Sequence, residues 1–134
     1  MEQSSGVRDA MLRYYDRASA EDAESFDLLV SREQASMIIG TAPHDWHGDR
    51  EKWKAAFPPT GLRVEAGDLR AWEEGSVGWL SDTPSFVLPD GTAVRTRLTA
   101  VMRREDGDWK LVQAHVSVGV PDEEVIELTS RWSG

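Results

Sequence analysis

The chain has 134 residues, no cysteine, and 24 acidic against 15 basic side chains, giving a formal charge of −9. That length suits one domain burying ~two thirds of its unfolded surface, and without cysteine there is no thiol catalysis and no thiolate metal site. The acidic field repels a phosphate backbone, so no nucleic-acid partner is expected.

Residues 7 to 18 open the chain as a helix. Val7, Ala10, Met11, Tyr14, Tyr15 and Ala18 form one apolar stripe at helical spacing. Ser19 is placed to cap a second helix that turns Ala23 and Phe26 inward. "ASMIIG" reads as a short strand. "TAPHDWHGD" is a turn-rich loop, after which Asp49 caps a short helix carrying Trp53 and Phe57, stopped by Pro58 and Pro59. From Leu62 onward the pattern is mainly β. Strands are expected at 62–66 and 69–81, with a turn, bulge or bend at Gly75 or Gly78. Two Asp-Gly pairs, at 90–91 and 106–107, each mark a hairpin. "PDEEVIELTSRW" suits a last helix, with Pro121 in its first turn, acids toward its N-terminal dipole, and Val125, Leu128 and Trp132 on one face. Helices followed by a run of antiparallel strands specify an α+β domain, here spanning 1–134.

No apolar run reaches the ~20 residues that a bilayer crossing needs. The polar start "MEQSSGVRDAM" is unlike a signal peptide, so no membrane partner and a cytoplasmic location are expected. No phosphate loop or nucleophile elbow is present, and no cofactor is expected. "HDWH" offers His44, Asp45 and His47 near Asp49, but at no recognised metal-ligand spacing. That loop reads better as a lid whose Trp46 forms a pocket wall, with no metal.

The last hairpin decides where the chemistry lies. A two-residue turn at Asp106-Gly107 sets Glu105 opposite Asp108, Leu111 opposite Met102, His115 opposite Leu98 and Ser117 opposite Thr96. His115 and Ser117 then share a face with Leu98 and Met102. The opposite face, with Val112, Ala114, Val116, Val118, Thr99 and Val101 and with Arg95 and Arg97 at one end, is flat and mainly apolar, which suits a sheet-to-sheet homodimer. A one-residue bulge would instead bring Arg97 and Thr99 to the His115 face.

Three stretches resemble a known family. "IIGTAPHDWHGDREKW" has a Gly-Thr, a proline and an acid-Trp pair before a short helix. "SVGWLSD" has an apolar-Gly-Trp strand, and "RTRLTAVMRREDGDWKLVQAHVSVGVP" has a terminal hairpin with His-x-Ser and Val-Pro. Together they resemble the SnoaL-like branch of the nuclear transport factor 2-like superfamily over nearly the whole chain. The resemblance implies a cone-shaped, curved antiparallel sheet wrapped around N-terminal helices, with an open cavity and commonly a homodimer packed sheet to sheet. The superfamily contains isomerases, dehydratases, cyclases and binding or assembly domains, so fold alone does not assign an activity. Neither the Tyr plus paired-Asp site of the ketosteroid isomerases nor the Asp-Arg-Asp arrangement of the epoxide hydrolases has a counterpart at matching positions.

On this basis the expected function is binding of a small hydrophobic molecule in an aromatic-lined cavity. Tyr15, Trp46, Trp53, Trp79, Leu98, Met102, His115 and Ser117 are the expected lining residues. A first alternative is an acid–base enzyme of the isomerase, dehydratase or cyclase type acting through His115, the side chain best suited to proton transfer near neutral pH. Against it stands a core histidine donating to Thr96 or to a backbone carbonyl. A second alternative is a dimeric assembly module whose working surface is the sheet face.

Overall fold

A computed structural model describes residues 1–133. Helix α1 (Ser5–Ser19) follows from its apolar stripe, and all six stripe residues are buried. Ser4 caps it, its Oγ accepting the Val7 amide at 3.0 Å. The expected cap at Ser19 does not form. Ser19 closes α1 and its hydroxyl accepts the Val64 amide at 2.9 Å, while a 3₁₀ turn (Ala23–Ser25) leads into the single-turn α2 (Phe26–Leu29). Phe26 is buried, whereas Ala23 is exposed. Helix α3 (Arg50–Ala56) is capped by Asp49, which accepts the Lys52 amide at 2.9 Å. Both Trp53 and Phe57 are buried beneath α1.

Among the described residues, ten strands make two sheets. The large sheet contains β1 (Glu2–Gln3), β2 (Met37–Ile39), β3 (Trp46–His47), β5 (Arg70–Glu74), β6 (Val77–Asp82), β9 (Arg97–Glu105) and β10 (Asp108–Ser117), in the order β1-β5-β6-β9-β10-β2-β3. The small sheet is β4 (Arg63–Glu65), β7 (Ser85–Val87) and β8 (Ala93–Arg95), in the order β4-β7-β8. The large sheet is mixed rather than wholly antiparallel, because β2 runs parallel to β10. The stretch 69–81 is a hairpin, turning at Gly75 with φ +60°. Gly78 answers a different need. A Cβ there would lie 2.4 Å from Val7 Cγ2, so the glycine lets α1 rest directly on β6. Both Asp-Gly hairpins form, and Asp106 and Gly107 adopt φ +53° and +86°, the conformations a two-residue primed turn demands.

One feature of the β9–β10 pair overturns the expected face assignment. From the turn the register is as expected, through Leu111 opposite Met102. A bulge at Val112 then shifts it, so that Gln113 meets Val101, His115 meets Thr99 and Ser117 meets Arg97. An extra residue reverses the parity of everything after it. Trp109 and Leu111 point inward, and so do Ala114 and Val116, while Gln113 and His115 point outward. The surface expected to carry a dimer through Ala114 and Val116 is therefore core. Val101 is outward-facing as expected, at 39% exposure.

Helix α4 (Asp122–Ser133) ends the described chain and buries none of its residues. Among the described residues, no helix is long and apolar enough to cross a membrane.

Candidate functional site

Beneath α1, the inner face of the sheet encloses a cavity of about 450 Å³. α1 contributes Met11, Tyr14, Tyr15 and Ala18, one edge of its buried stripe. The α3 segment adds Trp53 and Phe57, and β9 and β10 supply the floor through Leu98, Ala114 and Val116. Val64 and Phe86 of the small sheet close one side. The mouth carries the polar groups Thr41, Asp45 and His47 from the loop that reads as a lid in the sequence. An apolar enclosure with a few convergent polar groups is the usual form of a small-molecule site.

The two tyrosines have separate tasks. Tyr15 donates to Asp82 Oδ2 at 2.8 Å, and the other oxygen of Asp82 accepts the amides of Gly67 at 3.0 Å and Thr83 at 2.7 Å. This buried knot fastens α1 to the end of β6 and consumes the Tyr15 proton. Tyr14 instead accepts the indole N–H of Trp53 at 3.1 Å. Indole can only donate, so the Tyr14 oxygen is the acceptor and its own O–H remains free to donate. No partner takes that proton among the described residues. Burial pushes the Tyr14 hydroxyl up to about 12, with the Trp53 hydrogen bond pulling the other way. Burial, then the hydrogen bond and charge of Asp82, push Tyr15 up further. Both hydroxyls are thus neutral at physiological pH.

Of the eight side chains expected at the site, Tyr15, Trp53 and Leu98 line the cavity. Met102 is fully buried in the core on the same face but does not line the space. The other four stand elsewhere. His115 and Ser117 are carried to the outer face by the Val112 bulge, where they border a shallow groove with Arg97, Thr99 and Ser81. Trp79 pairs with Trp72 across β5–β6 and, beside Val101, also faces outward. Trp46 is 63% exposed, because in the short β3 it alternates with His47, and it is His47 that turns toward the cavity.

Sequence reasoning missed Tyr14 and His47. Tyr14 was legible as a member of the buried stripe, but its pairing with Trp53 joins segments 39 residues apart. His47 needed the boundaries of β3, which no periodicity announces in two residues. His44 lies 3.4 Å from Asp45 but is 84% exposed. Among the described residues, no group of three or more His, Asp or Glu side chains is arranged to hold a metal ion.

The SnoaL-like domain family matches residues 7–121, from α1 through β10, which includes every residue lining the cavity. The chain belongs to this family. No curated protein matches the sequence. Solved structures give the same architecture at low identity. A nuclear transport factor 2-like protein of Pseudomonas putida superposes with a TM-score of 0.74 at 14% identity, covering 90% of this chain and 89% of that one. A cystatin-like fold from Nostoc punctiforme gives 0.71 at 13% identity, over 89% and 96% of the two chains. A protein of Novosphingobium aromaticivorans that carries the name "putative scytalone dehydratase" gives 0.72 at 10% identity, over 86% and 83%. At these identities the likeness concerns the fold.

Proposed function

We propose that this SnoaL-like domain binds a small, neutral, largely apolar molecule in the cavity beneath α1, and that Tyr14 orients it by donating to an acceptor oxygen. The observation that carries this is the free Tyr14 proton inside an aromatic enclosure. A buried donor without a partner is costly, and a ligand oxygen would satisfy it. A carbonyl, hydroxyl or ether suits a neutral phenol. The acid–base alternative loses His115 to the outer face. Within the cavity the proton-transfer groups are Asp45, His47 and Tyr14, and the dehydratase-named neighbour keeps such chemistry in view for them.

The test uses two probes of nearly equal shape, 2-acetylnaphthalene and 2-ethylnaphthalene, titrated by calorimetry. The ketone should bind roughly fivefold more tightly, about 1 kcal/mol for one net hydrogen bond, and Tyr14→Phe should erase that difference while leaving the hydrocarbon's affinity intact. Equal affinities in the unaltered protein, or a preference that survives in Tyr14→Phe, would remove Tyr14 from this role.

A second reading concerns assembly. The outer face presents Trp72, Trp79 and Val101 side by side, with the exposed Val77 next along β6, an apolar row. Such a patch favours coverage by another protein surface. We assign it to a homodimer formed through the outer sheet face, with its apolar centre on this row rather than on the inward-turned Ala114 and Val116.

A further inference from the structure

The family match stops at residue 121, and α4 begins at residue 122. This helix buries none of its residues, with Leu128 half-buried, Ile126 66% exposed and Trp132 79% exposed. Twelve residues make a helix that is marginal in water without tertiary packing. Its composition is polarised along its length. Asp122, Glu123, Glu124 and Glu127 stand in the first half with Val125 and Ile126, and Trp132 stands near the end beside Arg131, which pairs with Glu127, in line with Val125 and Leu128.

The outer sheet face is polarised in a complementary way. At one end lies Arg97, whose Nε donates to Ser117 at 3.2 Å and which forms no ion pair among the described residues. His115 lies two residues before Ser117 on β10, opposite Thr99, on the same outer face. At the other end lie Trp79 and Val101, directly paired. From Arg97 to Val101 is four residues of strand, roughly 13 Å. On the helix, Glu124, Leu128 and Trp132 form one i, i+4, i+8 ridge, eight residues and roughly 12 Å long. Charge and length therefore match end for end.

We propose that α4 is an arm that packs along the outer sheet face of a second copy of this chain, its acids at the partner's Arg97 end and its Trp132 against the Trp79–Val101 end. A second copy is favoured because, within one chain, the helix stands clear of the face it complements. Both surfaces belong to every copy, so a two-fold axis lets each arm cover the other's face at once. This inference rests on the homodimer reading above and specifies what covers the row.

The experiment uses the full chain. Sedimentation velocity at micromolar concentration should show a dimer. The variant Leu128→Glu/Trp132→Glu, at positions that one chain does not bury, should raise its dissociation constant at least 30-fold while naphthalene binding stays unchanged. Because the protein has no cysteine, a variant carrying both Gln113→Cys and Thr129→Cys, treated with a short bismaleimide, should give a covalent dimer. A dimer untouched by the double glutamate variant would overturn the arm and leave the homodimer reading standing. A link formed within single chains would place α4 on its own sheet and overturn the arm as well. A monomeric unaltered protein would overturn both.

Discussion

The two faces of one sheet carry tryptophans for opposite reasons. On the inner side Trp53 is 1% exposed, its indole N–H held by Tyr14 and its ring edge-on to Phe26 at 5.9 Å. On the outer side Trp79 lies half-buried beside Trp72 and Val101, with no hydrogen bond to its indole among the described residues. The inner ring is part of the packing that makes the fold. The outer ring is surface that the fold of one copy leaves uncovered. Equal hydrophobicity thus says little about role, and the partner of the indole N–H says much.

Substituting the two residues separates these roles most sharply. Trp53→Ala should cost about 3–5 kcal/mol of stability, as a large cavity opens and Tyr14 loses its donor. Trp79→Ala should cost under about 1 kcal/mol in the monomer but weaken self-association. Chemical denaturation read alongside sedimentation gives both numbers. A Trp79→Ala variant as unstable as Trp53→Ala would erase the distinction between the faces.

The knot around Asp82 comes next in size. Asp82→Ala leaves the Tyr15 hydroxyl and the Gly67 and Thr83 amides without their acceptor. The expected loss is on the order of 3 kcal/mol, measured by denaturant midpoint. A loss below 1 kcal/mol would show that water replaces the carboxylate, and that this end of the inner face is wetter than its burial implies.

How much of this was legible beforehand depends on the length scale of the signal. α1 was readable because six residues over three turns repeat one period, and the Asp106-Gly107 turn because its backbone conformation selects its residues. The cavity wall contributed by Tyr15, Trp53 and Leu98 followed from these strong local patterns. The outward turn of His115 did not. A single bulged residue, Val112, leaves no mark in a run of apolar and β-branched residues, yet it reverses parity for the rest of β10. Trp79 was misplaced for a related reason, since its face depends on a hairpin at Gly75 that also reads as a bend. The Tyr14–Trp53 contact was out of reach because it is purely tertiary.

Alkaline unfolding probes the inner face by charge. The folded-state pKa of Tyr14 is raised to about 12, and that of Tyr15 is raised as well, so the unfolded chain releases these protons first. The contribution of the two tyrosines should be constant below the unfolded tyrosine pKa near 10 and fall as pH rises from there through the folded values. A Tyr14→Phe variant should lose less stability between pH 10 and about 12 than the unaltered protein does. Identical pH slopes for the two would mean that the Tyr14 hydroxyl is solvated in the folded state.

The smallest expected effect is the most discriminating for function. His115 pairs with Thr99 on the outer face and is separated from the cavity by the thickness of the sheet, whose inner surface at that point is Ala114 and Val116. His115→Ala should therefore change stability by no more than about 0.5 kcal/mol, the range for a surface position, and should leave naphthalene affinities unchanged. His47→Ala is the matched control, because His47 borders the cavity mouth. Its stability cost should be similarly slight, but the affinity for the ketone probe should shift. Calorimetry on the two variants side by side would show which histidine the ligand meets. A loss of ketone binding in His115→Ala with none in His47→Ala would return the chemistry to the strand where sequence periodicity first places it, and would require the bulge at Val112 to be absent in solution.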